Sequence, residues 1–218
     1  ARIGRPGRMM TPHPRTVLPA PEASGGLCIA IVGAESTGKT WLARHASEHL
    51  ASHHGVRSTW VPEVLRQWCD EHGRTPRIDE QAAIAAEQAR RIAEAAARFE
   101  LVLCDTTPLM TAVYSEHVFG DRSLHDLALR WQRSCTLTLL TALDLPWQAD
   151  GLQRDGPHVR EPIDALLRQL LDSHALPWRR VHGQGDRRLE SVLEAIAPWI
   201  GARATEPTGS RAPARHPE

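Results

Sequence analysis

Leu27-Cys-Ile-Ala-Ile-Val-Gly-Ala-Glu-Ser-Thr-Gly-Lys-Thr40 decides how the rest of this chain is read. Its first half, Leu27 to Val32, is a continuous apolar run bounded by glycine on both sides. Such a run fits a strand buried on both faces of a parallel sheet. Its second half, Gly33 to Thr40, matches G-x-x-x-x-G-K-[ST] without departure. A helix is expected to follow, from Thr40 to Leu50.

Each part of the loop has a physical task. Gly33 and Gly38 let the backbone turn tightly and approach an anion. The main-chain N–H groups of Glu35, Ser36, Thr37 and Gly38 then face phosphate oxygens, and the helix that starts there adds its positive end. Lys39 supplies a compact ammonium for the β and γ phosphates of ATP, and the Thr40 hydroxyl is a ligand for Mg²⁺. Lys39 is the only lysine among 218 residues, every other cationic side chain of that kind being Arg. A drift toward Arg that spares one Lys marks the place where a planar guanidinium does not substitute. This is the pattern of a P-loop.

Working outward, strand-like runs alternate with helical ones. Strands are expected at Ser58–Val61, Leu101–Cys104, Cys135–Leu140 and Trp178–Val181. Helices are expected at about Val64–Glu71, Asp79–Phe99, Pro108–Val118, Ser123–Gln132, Glu161–Ser173 and Arg187–Ile200. That order predicts a three-layer α/β P-loop fold, with about five parallel strands flanked by helices and right-handed crossovers. Residues 1–26 read as a disordered leader, 27–200 as one domain, and 201–218 as a disordered tail. Ligands of such sheets bind at the carboxyl ends of the strands, where Gly33, Glu63, Asp105 and Asp144 fall.

Composition narrows the function. The 41% apolar content supports a core, and 26 basic residues balance 26 acidic ones. Nothing in that balance calls for nucleic acid or an anionic membrane. No apolar run reaches the roughly 18 to 20 residues that span a bilayer, and the Arg- and Pro-rich start lacks the apolar stretch of a secretory signal. Cys28, Cys69, Cys104 and Cys135 have no metal-like spacing, and the three that lie in apolar, strand-like runs read as buried free thiols, which fits a cytoplasmic protein. His45, His49, His53 and His54 read as a solvated helix face. The sequence leaves the oligomeric state open.

Three further places carry chemistry. Asp105 ends an apolar strand and can hold Mg²⁺ directly or through water; the competing reading is a helix cap before Pro108. Glu63 ends the second strand and can grip an acceptor hydroxyl or take its proton, or simply start the next helix. Arg66, one turn on, can pair with Glu63 or touch a phosphate. The stretch 144–160 is long for a connector and reads as a lid. Within it Trp147 can stack on a flat ring, while Arg154 and Arg160 can close on a transferring phosphate.

Together, Gly33–Thr40, Val61-Pro62-Glu63 with Arg66, Asp105-Thr106, and Asp144-Leu-Pro-Trp147 with Asp150-Gly151 resemble the nicotinamide riboside kinase domain of NadR-type proteins and related small AAA-type ATPases. Gln88 also sits where that family tends to have Gln. The resemblance spans roughly 27–198. It implies a five-stranded P-loop kinase that phosphorylates nicotinamide riboside with ATP in NAD salvage. It places Lys39 and Thr40 at ATP and Mg²⁺, and Asp105 at the metal or as the base. It puts Glu63 and Arg66 near a nucleoside acceptor, and Trp147 and Asp150 near that acceptor or the lid. The chain departs at Thr107, where a second acid is common, and at Gln153, which intervenes before Arg154. The alternative class is a regulatory ATPase, a nucleotide-dependent switch that binds a partner protein.

Overall fold

A computed structural model of the chain describes residues 17–22, 25–149 and 156–204. Five strands form one parallel sheet: β1 Leu27–Val32, β2 Ser58–Val61, β3 Leu101–Asp105, β4 Leu137–Thr141 and β5 Trp178–Val181. The spatial order is β2-β3-β1-β4-β5. All four pairings are parallel. The helices are α1 Lys39–His54, α2 Val64–His72, α3 Gln81–Ala96, α4 Pro108–Phe119, α5 His125–Gln132, α6 Arg160–Ser173 and α7 Asp186–Ala204.

The alternation of β1 explains the three layers. Cys28, Ala30 and Val32 point into a core shared with α3, α4, α5 and α6. Ile29 and Ile31 point into the opposite core, against α1 and α7. With both faces covered, every position of the strand beyond Leu27 must be apolar. The buried thiols belong to the first core. Cys28 Sγ lies 3.5 Å from Cys104 Sγ and 3.2 Å from Cys135 Sγ, and all four cysteines are free and buried.

Element boundaries differ from expectation where local signals compete. The expected helix 79–99 splits into a single 3-10 turn, Ile78–Glu80, and α3. Glu80 explains the turn: it accepts from Arg77 N and from both Nη atoms of Arg74, which holds the chain short of helical geometry. The strand expected from Cys135 begins at Leu137. Cys135 N instead donates to Gln132 O and closes the turn after α5. Within the stretch read as a leader, Leu18 packs against the core. Trp131 Nε1 donates to Pro19 O at 2.8 Å. Residues 1–16, 23–24 and 205–218 lie outside the described residues, with most of the leader and tail expectations. No helix of the described residues is long and apolar enough to cross a membrane.

β1 lies between β3 and β4, so the chain leaves its carboxyl end at the point where the strand order reverses. A crevice opens there by topology alone. The loop after β1, the end of β3 and the end of β4 converge on it.

Candidate active site

The glycine loop is held from beneath. A Cβ at Gly33 would lie 2.0 Å from Thr141 Oγ1 at the end of β4, so only glycine lets β1 and β4 close there. Thr141 Oγ1 donates to Thr37 Oγ1 (2.7 Å), whose own proton goes to Ala34 O (2.8 Å). Lys39 Nζ donates to the same carbonyl at 2.8 Å. Gly38, at φ 77°, starts α1 in a left-handed conformation. No side chain caps that helix among the described residues, and its positive end meets the loop.

Asp105 pairs in register with Ile31 of β1, which brings its carboxylate beside the loop. Thr40 Oγ1 donates to Asp105 Oδ2 at 2.6 Å. Asp105 is 1% exposed. Its other oxygen, Oδ1, is buried and has no hydrogen-bond partner among the described residues. Burial pushes the carboxyl above its ordinary value, against the opposing pull of Lys39, the Thr40 hydroxyl and Arg66. A buried carboxylate with one unsatisfied oxygen beside a hydroxyl is a hard-oxygen donor pair that fits Mg²⁺.

Glu63 occupies the N-cap position of α2. Gln88, on α3, fixes this corner from behind: its Oε1 accepts from Val64 N at 2.8 Å and its Nε2 donates to Pro62 O at 3.4 Å. Gln88 is buried, so the corner is tied to the core and not to solvent. Arg66 Nε lies 3.6 Å from Glu63 Oε2.

Two cavities meet at these residues. One, of about 540 Å³, is bounded by the glycine loop, Thr40, Trp41 and the first lid residues. The other, of about 440 Å³, takes Glu35 and Glu63 together with an apolar wall of Met110, Tyr114 and Phe119. Lys39 and Arg66 line both. Glu35, expected with the nucleotide, is placed on the wall of the second cavity, across the loop from its neighbours.

The stretch 144–160, expected to be a lid, is described only at its two ends. Ser36 Oγ donates to Gln148 O at 2.7 Å, which lays the first lid residues over the loop. Trp147 lines neither cavity, and its Nε1 is buried with no partner among the described residues. Asp150 and Arg154 lie outside the described residues. Arg160, expected as a second phosphate-facing arginine, is buried at the start of α6 and donates to Leu145 O at 2.9 Å. It ties the start of the 144–160 stretch to α6 instead.

One residue of the site escapes sequence reading altogether. Arg188, on α7, is 2% exposed. Its Nη1 donates to Asp144 Oδ1 (2.5 Å) and Gly183 O (2.7 Å), and its Nη2 to Thr37 O and Ala142 O (3.0 Å each). One guanidinium thus joins the glycine loop, the end of β4, the lid base and the turn after β5. Asp144 also accepts from Gly183 N at 2.7 Å. Burial raises the Asp144 carboxyl, but the bonds from Arg188 and Gly183 outweigh it and leave it below its ordinary value. The sequence signal for Arg188 is faint, since Arg187 beside it is exposed and the chain is rich in arginine.

Residues 28–188 match a family model described as an AAA domain. Among solved structures the chain is similar to a NadR protein in complex with NR, with TM-score 0.63 and 18% identity over 78% of this chain and 51% of that one. It is also similar to a NadR protein in complex with NAD and AMP-PNP, with TM-score 0.62 and 16% identity over 81% and 50%. The chain spans about half the length of those structures, and at these identities the likeness is one of fold. A search of curated protein sequences finds no match. The resemblance read from the motifs is therefore borne out for family and fold. With a matched segment that starts inside β1, runs through the loop and the sheet, and ends on Arg188, the chain belongs to the AAA domain family.

Proposed function

We propose that this chain is an ATP-dependent small-molecule kinase whose acceptor is a nucleoside, with nicotinamide riboside the first candidate and NAD salvage the setting. The observation that carries the reading is the shared wall of the two cavities. Lys39 and Arg66 border both the loop cavity and the pocket that holds Glu63. A nucleotide switch needs the first cavity alone. A transferase needs a second, apolar-walled pocket that opens onto the same lysine.

In this reading the triphosphate lies along the loop, with Lys39 against the β and γ phosphates. Thr40 and Asp105 are the residues that would hold Mg²⁺, which when bound neutralises charge on the β and γ oxygens. The acceptor hydroxyl attacks the γ-phosphorus in line. A new P–O bond forms as the bond to the β,γ-bridging oxygen breaks, ADP leaves, and the hydroxyl proton passes to a carboxylate. Asp105 already takes the Thr40 hydroxyl and would hold the cation, so Glu63 is the better placed acceptor-side group. Arg66, between the cavities, offsets charge on the transferring phosphoryl group. Asp150 and Arg154 keep the lid roles that the family resemblance implies. Most of the rate then comes from positioning and charge stabilisation.

The test is incubation with ATP, Mg²⁺ and a panel of nucleosides, nicotinamide riboside included, read by mass spectrometry. A nucleoside monophosphate formed together with ADP is the expected result. ATP turnover with no phosphorylated nucleoside would replace this reading with the regulatory ATPase.

A further inference from the structure

α1 buries Leu42, Ala43, Ala46, Ser47 and Leu50. Residues on its opposite side face solvent, and an ordinary sequence would fill them with polar groups. Trp41 breaks that rule. It follows Thr40 directly, is 38% exposed, and lines the same cavity as Lys39 and Thr40. It is the one aromatic residue on that cavity's wall among the described residues.

The indole is held in place. His45, one turn on, stacks against it with ring centroids 4.1 Å apart and an interplanar angle of 22°. His45 Nδ1 in turn lies 2.8 Å from Trp41 O. With one face closed by His45, the indole presents its remaining surface to the cavity it lines. The cavity's apolar part is completed by Leu145 and Pro146, and Leu145 is pinned over Gly38. A Cβ on Gly38 would meet Leu145 Cδ1 at 3.3 Å, and Arg160 holds the Leu145 carbonyl. The cavity therefore has a cationic end, Lys39 and Arg66, and an aromatic and aliphatic end.

We infer that Trp41 is the stacking platform for the nucleobase of the bound triphosphate, with Leu145 and Pro146 as the other apolar contacts. This rests on the reading of the loop as a nucleotide site and deepens it. An aromatic face of this kind takes any base, because every base has a π-face. No acidic side chain lines the cavity to read a base edge, among the described residues. The base contributes affinity here, and the loop fixes where the phosphates go.

Inorganic tripolyphosphate separates the two contributions, since it carries the phosphates without the base. Calorimetry on the full chain with Mg²⁺ measures ATP, GTP and tripolyphosphate binding to the wild type, Trp41→Ala and Trp41→Phe. The expected result is a loss of roughly five- to a hundredfold in affinity for ATP and GTP in Trp41→Ala. Tripolyphosphate affinity stays unchanged, and Trp41→Phe recovers most of the loss. Unchanged nucleotide affinity in Trp41→Ala, or an equal loss for tripolyphosphate, overturns the inference while leaving the nucleotide site standing. A wild type that binds neither ATP nor tripolyphosphate removes the nucleotide reading and this one with it.

Discussion

Replacing Arg188 with methionine keeps most of the stem that fills the core and deletes the guanidinium alone. Four bonds go with it: one to Asp144 and three to the carbonyls of Thr37, Ala142 and Gly183. Breaking a fully buried ion pair from one side costs about 3–5 kcal/mol. Here the Asp144 side chain is 36% exposed, so its orphaned charge is partly rehydrated and the ion-pair share is smaller. The three carbonyls add a share, each buried acceptor left without a donor costing about 1–3 kcal/mol before local relaxation. A net loss of about 3–4 kcal/mol follows, large against a domain stability of about 5–15 kcal/mol but short of unfolding it. For a chain of this size that is a fall in Tm of about 6–16 °C. Because Thr37 O is released, ATP affinity should fall as well. Asp144→Asn should cost less, about 1–2 kcal/mol, since Arg188 keeps its three carbonyls. Its cost also depends on pH. The Asp144 carboxyl is depressed in the fold, so its contribution is complete above the ordinary carboxylate pKa of about 4 and is lost as pH falls through the depressed value. The stabilities of the wild type and Asp144→Asn should therefore begin to converge as pH falls below about 4, and meet only below the depressed value. Thermal melts and calorimetric ATP titrations check these points. A Tm for Arg188→Met within about 2 °C of wild type, with ATP affinity intact, would refute the claim that this guanidinium holds the loop.

Glu63→Gln should lower nucleoside turnover by roughly a hundredfold or more while ATP affinity holds, measured by steady-state kinetics; unchanged acceptor KM and kcat would mean the acceptor corner lies elsewhere. Gln88→Ala frees Val64 N and Pro62 O, so a loss of about 1–2 kcal/mol in stability is expected. It should raise the acceptor KM with little change in ATP affinity. Asp105→Asn removes a carboxyl that burial holds above its ordinary value. Such a group is easier to ionise unfolded than folded, so the wild type loses stability as pH rises above about 4 and the variant does not. Urea midpoints taken from pH 4 to 7 should shift in the variant's favour, while Mg²⁺-dependent turnover collapses.

The fold was legible because its decisive signals are local. An apolar run between glycines, a loop with one lysine, and helix-forming stretches between short strands each carry their meaning within about ten residues. The loop residues, Asp105 beside Thr40, and the Glu63 corner with Arg66 follow from the same logic, because the carboxyl ends of parallel strands must lie side by side. What could not be read is what depends on long-range closure. Arg188 reaches Thr37 across 151 residues, and nothing in its neighbourhood separates it from the exposed Arg187. Met110 and Tyr114, a helical turn apart on α4, pack in or against the core and also wall a cavity, which nothing local in the sequence marks. Glu35 belongs to the loop by motif, yet it borders the other cavity with both of its carboxylate oxygens buried.

These two kinds of residue explain how one loop can serve two pockets. The loop's amides and Lys39 are set by motif and by Gly33's close approach to Thr141, and would be the same in any protein with this pattern. The identity of what lies on either side is set by residues that the motif leaves free. Glu63 gives the second pocket a carboxylate, α4 gives it an apolar wall, and Gln88 fixes its corner through the core. Arg188 ties the loop to the β4 and β5 ends, so that a change at the lid base is felt at Thr37. On the proposed reading, phosphate binding is therefore the part of this site most insulated from sequence change. If the second pocket takes the acceptor, as proposed, acceptor choice is the part most open to it, and substitution there should alter specificity without loss of the fold.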